Sequence, residues 1–377
     1  MSAMKRCFPM VRYKVLVSIA VFAASTVGAS SPAFPGVEQT AEEAINAKLA
    51  TGLPEVLDRS GAASISVAHI ESGRIVAMQA AGLSAPGQAA TTQTRYNVAS
   101  LTKPVSAEVI LRLVAEGRFS LDQPMSSTWL DPDLSDDSRH ERLTPRLALN
   151  HQTGFPNWRS TGGLRFGSDP GGEAGYSGEG YEYVAKFIGH LTGAGIDHHA
   201  QRLVFKPLGM TATTYTAGSE PPAAVASSRS NDTWTPPVTR ETPSAADDLV
   251  TNVGDYATFL ISLMRRDALT PGLIAERARV QADQLNQMCD GIPASICPES
   301  AGPALGWTLF VIGGVPYYMH TGSDTDGFSL AYWTPSTGSG TVILTNSENG
   351  NRAVLPVLDL IGANPEFVTL LREQASR

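Results

Sequence analysis

The spacing of apolar positions changes twice along this chain, and the changes divide it into three regions. Near the amino terminus, "SISVAHI" and "RIVAMQAAG" alternate or run apolar on either side of "ESG", which predicts a β-hairpin. From Leu101 to about Ile296, apolar residues recur mostly with a helical period, as in "DYATFLISLMRR". After Gly302 the strand pattern returns in "GWTLFVI", "VPYYMHT", "FSLAYWT" and "TVILTN". A closing helix is predicted over "NRAVLPVLDLIG", with Pro356 near its start or at a bend.

This order of elements predicts the fold class, α/β (α+β). We expect one antiparallel sheet assembled from both chain ends, flanked by helices and carrying an inserted, mainly helical lobe. Residues 30–97 and 300–377 would form the sheet domain and residues 98–299 the helical domain, with an active site between them. About 350 mature residues exceed the usual size of one domain, which agrees with two lobes. Thr40 and Glu43 form a capping box that predicts a short helix before the hairpin.

The first residues, 1–29, are typical of a secretory signal peptide. Four basic residues precede or flank an apolar run over residues 15–27, and the small residues of "VGAS" suit cleavage after Ala29. A membrane anchor is the competing interpretation, but the run is shorter than the ~20 residues of a spanning helix. Cys7 precedes the run, where it is badly placed to carry a lipid. We therefore predict a periplasmic or secreted protein without a stable membrane anchor.

Charge and cysteine content narrow the possible partners. Cleavage removes four basic and no acidic residues, so 28 basic and 36 acidic residues become 24 and 36, and the net charge falls from −8 to −12. Such a chain has no general electrostatic attraction for nucleic acid or anionic lipid. Cys289 and Cys297 remain after cleavage. An oxidising compartment favours a disulfide between them over two free thiols.

The stretch "SLTK" places Ser100 three residues before Lys103. This spacing fits a nucleophile with its base, but also a helix cap beside a solvated lysine, and it recurs by accident at Ser2 and Lys5. Pro104 is tolerated at low cost only in a first helical turn, so the helix must begin close to Ser100, whose hydroxyl then lies at the positive end of the helix dipole. An ordinary lysine is only ~0.04% neutral at pH 7, and burial would lower its pKa enough for base catalysis.

Two later stretches hold further candidate side chains. Tyr176 begins "YSGEGYEYV", where a glycine-rich turn before a helix can direct an aromatic hydroxyl into a cleft. A packed loop tyrosine is the alternative, because the ring is mainly apolar. His320 ends a strand in "HTGSDTDGF", and Gly322 would allow a ligand to approach the strand edge closely. A lone histidine there is otherwise a polar strand end.

Taken in order, these features resemble the three motifs of the serine β-lactamase and penicillin-binding protein family, especially its class C-like branch. The motifs are Ser100 with Lys103, then Tyr176, then the His-Thr-Gly of residues 320–322. "LALNHQTGFPNW" at residues 147–158 is similar to that branch's "LLNHTSG" loop, and "TNVGDYATFL" to its "STAxDLARFL" helix. The resemblance covers the chain from about residue 40 to its end and implies a β-lactamase/transpeptidase-like fold.

The resemblance also implies catalytic roles. Ser100 would be acylated, and Lys103 would take or shuttle its proton. Tyr176 would assist proton transfer to the leaving group and activate water for deacylation. The backbone N–H groups of Ser100 and Ser323 would form the oxyanion hole. His320 would complete the catalytic set.

The implied substrate-binding positions are Thr321, Gly322, Gly178 and Asn150. Two motif positions depart from the family pattern. Gly178 stands where asparagine is usual, and His320 stands where lysine is usual. A lysine there is a permanent cation for the substrate's carboxylate, whereas histidine loses its charge above a pKa of ~6.5. We therefore expect carboxylate binding to weaken as the pH rises through ~6 to 7.

The sequence thus predicts an exported serine hydrolase that acts through an acyl-enzyme on β-lactams or peptidoglycan-type D-amino-acid amides. Its partner would be a small-molecule or peptide substrate. A small-ester hydrolase or acyltransferase of the same fold and a penicillin-binding sensor without turnover are the alternatives. An α/β-hydrolase is disfavoured because "GYSGE" does not complete GxSxG. No HExxH surrounds His198 and His199 and no Walker or dinucleotide motif occurs, so we predict no metal or cofactor.

Overall fold

The structure, a computed structural model, describes the chain from residue 40 to residue 377, apart from residues 216–224, 238–241, 267 and 325–326. The predicted leader, residues 1–29, lies outside the described residues. Within the described ranges, no helix is both long enough and apolar enough to cross a membrane.

Strands come mainly from the two ends of the described chain. In chain order they are β1 (Ser64–Glu71), β2 (Arg74–Ala85), β3 (Gln88–Ala89), β4 (Tyr96–Asn97), β5 (Ser228–Ser230), β6 (Thr233–Thr235), β7 (Val250–Thr251), β8 (Ser300–Pro303), β9 (Thr308–Ile312), β10 (Val315–Asp324), β11 (Gly327–Thr334) and β12 (Ser339–Thr345). Eight of them form one antiparallel sheet in the order β3-β2-β1-β12-β11-β10-β9-β8. Small ribbons join β4 with β7 and β5 with β6.

Eleven α-helices lie among these strands in the described ranges of the chain. They are α1 (Ala41–Ser60), α2 (Thr102–Ala115), α3 (Pro145–Leu149), α4 (Gly178–Thr192), α5 (Ile196–Ala200), α6 (Lys206–Leu208), α7 (Val253–Arg265), α8 (Pro271–Arg277), α9 (Leu285–Cys289), α10 (Val354–Ile361) and α11 (Pro365–Ala375). A five-residue π-helix, Gln201–Phe205, connects α5 to α6.

The two chain ends meet at the centre of the sheet. Strand β1 pairs with β12 in antiparallel register, with Ile65 opposite Thr345 and Val67 opposite Ile343. Strands β1 and β2 are joined at Ser72 and Gly73, which both have positive φ, as tight hairpin turns require. The predicted antiparallel sheet from both chain ends, with its hairpin and meander, is confirmed.

Both faces of the sheet are covered by apolar packing, which explains why seven of the eight residues of β1 are buried. On one face, Ile65 and Val67 pack with residues of α1, α10 and α11. On the other, Ala68 packs in a larger cluster with α2, α4 and α7. The second face is the one that carries the candidate site.

Some elements differ from the sequence predictions. The capping box of Thr40 and Glu43 is confirmed, but α1 runs for 20 residues through Pro54 and is not short. Its buried Leu49 and Leu53 lie one turn apart, so packing against the sheet carries the helix past the proline. Strand β8 and helix α11 were not predicted. Pro356 is the third residue of α10, near its start as expected.

A buried network of ion pairs fixes the position of helix α2. The Glu108 carboxylate accepts hydrogen bonds from Arg112 and from Arg277 of α8, both at 2.9 Å. Arg277 also donates to the carbonyl of Leu263 in α7. Because an unpaired buried charge is costly, these partners define one position of α2 relative to α7 and α8. The helix that carries Lys103 is therefore held at its middle.

Candidate active site

Ser100 lies in a 3₁₀ turn, Ala99–Leu101, that leads directly into α2. Pro104 is the third residue of α2, so the helix begins where the proline predicts. Ala99 has a φ of 47°, a left-handed conformation that is unfavourable for a residue with a Cβ. Its N–H donates to the Asn97 side chain at 2.8 Å. Such strain next to a nucleophile is typical of functional turns.

Gly322 allows strand β10 to pack against this turn. A Cβ at Gly322 would overlap the carbonyl oxygen of Val98 and lie 3.1 Å from the nitrogen of Leu101. Ser329 of β11 donates to the same Val98 carbonyl at 2.8 Å. The sequence predicts that a ligand lies close to Gly322. The turn that carries Ser100 occupies that space instead, and Gly322 is not part of the cleft lining.

Lys103 is fully buried beneath Ser100. Its Nζ donates to Ser100 Oγ and to the carbonyl of Ala246, both at 2.9 Å. Burial lowers the pKa of Lys103 to about 8, while the nearby carboxylates of Asp247 and Glu182 oppose that shift. Roughly one lysine in ten is then neutral at pH 7. The expectation that burial lowers the lysine pKa is confirmed.

Glu182 of α4 holds the segment that contacts Lys103. Its carboxylate accepts from Ser244 Oγ at 2.5 Å and from the Ala246 N–H at 3.3 Å. Burial raises the pKa of Glu182, against the effect of these bonds. The carbonyl of Ala246 is thereby directed towards Nζ, so Glu182 acts on the lysine both through the backbone and through its charge.

Tyr176 is brought to the same point. Its side chain lines the cleft together with Ser100, and its ring centroid lies 4.8 Å from Lys103 Nζ. Desolvation raises the pKa of Tyr176 to about 12, although the residue as a whole is 46% exposed. The phenol is therefore protonated at neutral pH and is able to donate a proton to a leaving group.

The loop before Tyr176 contributes His151, which sequence analysis missed. The His151 ring lies 4.6 Å from the Tyr176 ring, and its Nδ1 accepts from the Ser177 N–H at 3.2 Å. Burial lowers the pKa of His151 to about 3, so the ring is a neutral support for the tyrosine. Asn150 is buried, is hydrogen-bonded to Gln152 and lies outside the cleft lining, contrary to its predicted substrate contact. The family-like stretch "LALNHQTGFPNW" therefore does contain a residue of the site, but it is His151, the residue after Asn150.

His320 is 7% exposed, and its ring is neutral. Burial lowers the pKa of His320 to about 3, and the charge of Lys103 acts in the same direction. Its Nδ1–H donates to the carbonyl of Thr321 at 2.7 Å, which leaves Nε2 as a hydrogen-bond acceptor. The expected loss of charge between pH ~6 and 7 is therefore wrong, because burial has already removed the charge.

These side chains converge on one cleft with a volume of about 420 Å³. Its lining comprises Ser100, Asn157, Trp158, Tyr176, Asp247, Thr308, Met319, His320, Thr321, Ser323 and Asp324. Five predicted site residues therefore meet here, with Lys103 buried behind Ser100. Asn157 and Trp158 end the stretch that resembles the family's loop, but neither they nor Asp247 were predicted as site residues, because only the folded chain brings them to the cleft.

Gly178 is the first residue of α4 and does not line the cleft. A Cβ at this position would lie 2.7 Å from Cη2 of Trp158. Its N–H donates to the Asn157 side chain at 2.9 Å. The predicted substrate contact of Gly178 is thus replaced by an indole that covers the glycine.

The remaining predicted positions lie apart from this cleft. Cys289 and Cys297 form a disulfide with their Cα atoms 5.8 Å apart. His199 is paired through its ring with the Thr192 hydroxyl at 2.9 Å. In the part of the chain that the structure describes, no cluster of His, Cys, Asp and Glu could hold a metal ion.

The sheet, the helices and the Ser100–Lys103 pair together define a serine hydrolase of the β-lactamase fold. The chain belongs to the Beta-lactamase family, whose model matches residues 44–363. The resemblance stated from the three motifs is therefore confirmed.

Known proteins support the same assignment. Penicillin-binding protein 4 of Amycolatopsis lactamdurans is 25% identical over 285 residues, which cover 69% of this chain and 74% of that protein. Esterase EstB of Burkholderia gladioli is 35% identical over 124 residues, or 30% of each protein. The structure of a D-amino acid amidase from Ochrobactrum anthropi SV3 matches with a TM-score of 0.66 at 21% identity, covering 84% of this chain and 98% of that one. This last likeness is one of fold.

Proposed function

We propose that this protein is an exported serine hydrolase that forms an acyl-enzyme at Ser100 and acts on D-amino-acid amides in preference to carboxylate-bearing β-lactams. The observation that carries the proposal is the buried Lys103, with Nζ 2.9 Å from Ser100 Oγ and a pKa lowered to about 8. A nucleophile and a base with a lowered pKa, within hydrogen-bond distance, are the parts that covalent catalysis needs.

The proposed reaction has two steps. Neutral Lys103 takes the proton of Ser100 as Oγ attacks the carbonyl, and the backbone N–H groups of Ser100 and Ser323 stabilise the oxyanion. The proton then passes through the Tyr176 phenol to the leaving nitrogen. In the second step a water gives its proton to the same pair and attacks the ester, and Ser100 Oγ leaves with a proton.

The state of His320 supports the choice of substrate. A neutral imidazole offers no permanent cation for a substrate carboxylate, whereas its Nε2 accepts a hydrogen bond from an amine or amide. D-amino-acid amides carry such donors and lack the carboxylate. A D-amino acid amidase of the same fold makes this class chemically reasonable.

Small esters are the second candidate, favoured by one specific observation. The usual side-chain amide of the second motif is absent at Gly178, and Trp158 covers that position. A site that lacks this amide loses a group that would hold an amide substrate, and esters need less activation. The 124-residue similarity to Esterase EstB is consistent with this candidate.

The test is a parallel assay of D-phenylalanine amide, a D-alanyl-D-alanine peptide, a p-nitrophenyl ester and a chromogenic cephalosporin, with intact-mass detection of adducts. We expect turnover of the amide, a transient adduct, and loss of activity in Ser100→Ala. Full activity of Ser100→Ala would refute the mechanism. A stable adduct without turnover would instead identify a sensor, and turnover of the ester alone would identify the second candidate.

The proposed export rests on the leader pattern of residues 1–29. We expect a secreted or periplasmic mature protein that begins near Ser30. Amino-terminal sequencing of the protein from the extracellular and periplasmic fractions tests this. A full-length amino terminus in the cytoplasmic fraction would contradict export.

A further inference from the structure

The candidate cleft has an aromatic wall. Among the described residues, the exposed large apolar side chains are Leu83, Trp158 and Tyr176. Trp158 and Tyr176 both line the cleft, and Trp158 is 44% exposed. In the proposed reaction Tyr176 transfers a proton, whereas Trp158 takes no part in the bond-making steps.

The indole of Trp158 lies directly on the first residue of α4. A Cβ built at Gly178 would lie 2.7, 2.9 and 3.0 Å from three atoms of the six-membered ring. Real Cβ atoms are not found so close to other heavy atoms, so any other residue at position 178 would displace the ring. The indole also lies 5.9 Å from Lys103 Nζ, which places it beside the reacting atoms. The Trp158 indole can therefore occupy this point of the cleft only because residue 178 is a glycine.

The backbone around Trp158 is fixed to the start of α4. The Pro156 carbonyl accepts from Ser177 Oγ at 2.8 Å, and the Asn157 carbonyl accepts from the Glu179 N–H at 3.0 Å. Arg159 bonds to the Glu179 carboxylate through its own N–H and its Nε, both at 3.0 Å.

Arg159 is held from a second side as well. Its guanidinium donates to the buried carboxylate of Asp131 at 3.0 Å. Both neighbours of Trp158 are thus clamped, and little conformational freedom is lost when a ligand stacks on the indole. Preorganised aromatic surfaces bind flat groups at low entropic cost.

We propose that Trp158 is a specificity-determining residue that packs against a flat apolar side chain on the acyl part of the substrate. The proposal rests on the proposed function, because the leaving group of a simple D-amino-acid amide is ammonia and offers no surface to pack. The large apolar group of such a substrate is then its acyl side chain. The favoured class consists of D-amino-acid amides or esters with an aromatic acyl side chain, such as those of D-phenylalanine, and a phenylacetyl ester presents the same ring without the amino group.

The test compares two p-nitrophenyl esters that share one leaving group, the phenylacetate and the acetate. Stacking on an indole is worth about tenfold in binding, so Trp158→Ala should lower the phenylacetate-to-acetate ratio of kcat/KM about tenfold, mainly through KM. Trp158→Phe keeps a flat ring and should keep the ratio within about twofold. D-phenylalanine amide and D-alanine amide form a second substrate pair.

A substitution of Gly178 tests whether the position of the Trp158 indole matters, because it moves the ring without removing it. Gly178→Ala should lower the same ratio, because the new Cβ displaces the ring while Trp158 remains. Gly189→Ala in the same helix is the matched control, since a Cβ there has nothing within 4 Å, and its ratio should equal that of the wild type. Because Trp158 is retained in both glycine variants, a lowered ratio in Gly178→Ala alone would not be explained by unfolding of the loop after loss of the indole.

Each outcome decides between the two proposals. An unchanged ratio in both Trp158→Ala and Gly178→Ala, or an equal loss on both esters, would overturn the role of Trp158 while Ser100→Ala remained inactive. Full ester turnover by Ser100→Ala would instead refute the proposed function, whatever the ratio. A lowered ratio in Trp158→Ala and Gly178→Ala, with normal ratios in Trp158→Phe and Gly189→Ala, supports the proposal.

Discussion

Lys103 and His320 are two basic side chains of one cleft, and burial lowers the pKa of both. The lysine has a pKa of about 8 and remains within the working range of an enzyme. The histidine has a pKa of about 3 and does not titrate in that range. Burial of both side chains therefore leaves one group that exchanges protons and one that only forms hydrogen bonds.

Most of the difference is intrinsic, because the ordinary pKa is 10.5 for lysine and 6.5 for histidine, and the neighbours of each group widen it. Asp247 and Glu182 stabilise the lysine cation and oppose the desolvation. His320 instead faces the positive charge of Lys103, and its stabilising partner is the carbonyl of Thr321. Carboxylates on one side of the cleft thus tune the base, while the other side is left without a titrating cation. The following substitutions would break or sharpen this contrast, beginning with the largest effect.

Removing the base should have the largest effect. Lys103→Met should lower kcat for the best substrate by about 10³-fold, because general base catalysis contributes ~10²–10⁴-fold. Circular dichroism and stopped-flow assays of the purified variant measure fold and rate together. Lys48→Met, at an exposed position of α1, is the matched control and should retain wild-type activity. A folded Lys103→Met enzyme with wild-type kcat would remove the lysine from the mechanism.

Removing the carboxylates should have a moderate effect with a defined sign. Activity requires neutral Lys103, so kcat/KM should rise with pH through the lysine pKa. Asp247→Asn removes the main charge that raises this pKa, so the midpoint should move to lower pH and activity at pH 6 should increase about threefold. Glu182→Gln should act in the same direction but less. A midpoint that moved to higher pH in Asp247→Asn would contradict this electrostatic account.

Replacing His320 with a side chain that does not ionise should have the smallest effect on the pH dependence of substrate choice. The ratio of kcat/KM for a carboxylate-bearing ester and its neutral analogue should stay constant between about pH 5 and 8, because the imidazole is already neutral. His320→Gln should show the same flat ratio profile. A wild-type ratio that falls through pH ~6 to 7, and a flat profile in His320→Gln, would show that His320 does titrate there.

Sequence patterns predicted the scaffold and the catalytic pair for identifiable reasons. The short runs of β-branched and apolar residues in "SISVAHI" and in the final strands, bounded by turn residues, specified the sheet, because strand propensity and turn chemistry are local properties. Pro104 specified where α2 begins, and so where Ser100 lies. The lowered lysine pKa followed from the apolar residues of its own helix.

The substrate side could not be predicted in the same way. Its properties depend on contacts between residues that are distant in sequence, such as Gly322 with Val98, or Trp158 with Gly178. The family motif directed attention to Gly178 as a missing amide, whereas the structure shows that an indole covers it. The sequence alone predicts the ordinary histidine pKa of ~6.5 for His320, because its burial depends on residues distant in sequence, such as Tyr176.

The central claim is that Ser100 becomes acylated with the help of a lysine whose pKa is lowered by burial. The most direct measurement is rapid-quench mass spectrometry of the Ser100-containing peptide across about pH 6 to 10 with one good substrate. We predict an acyl adduct on Ser100 whose rate of formation rises with pH around a midpoint of about 8. An adduct on another residue, or an acylation rate independent of pH over this range, would contradict the claim.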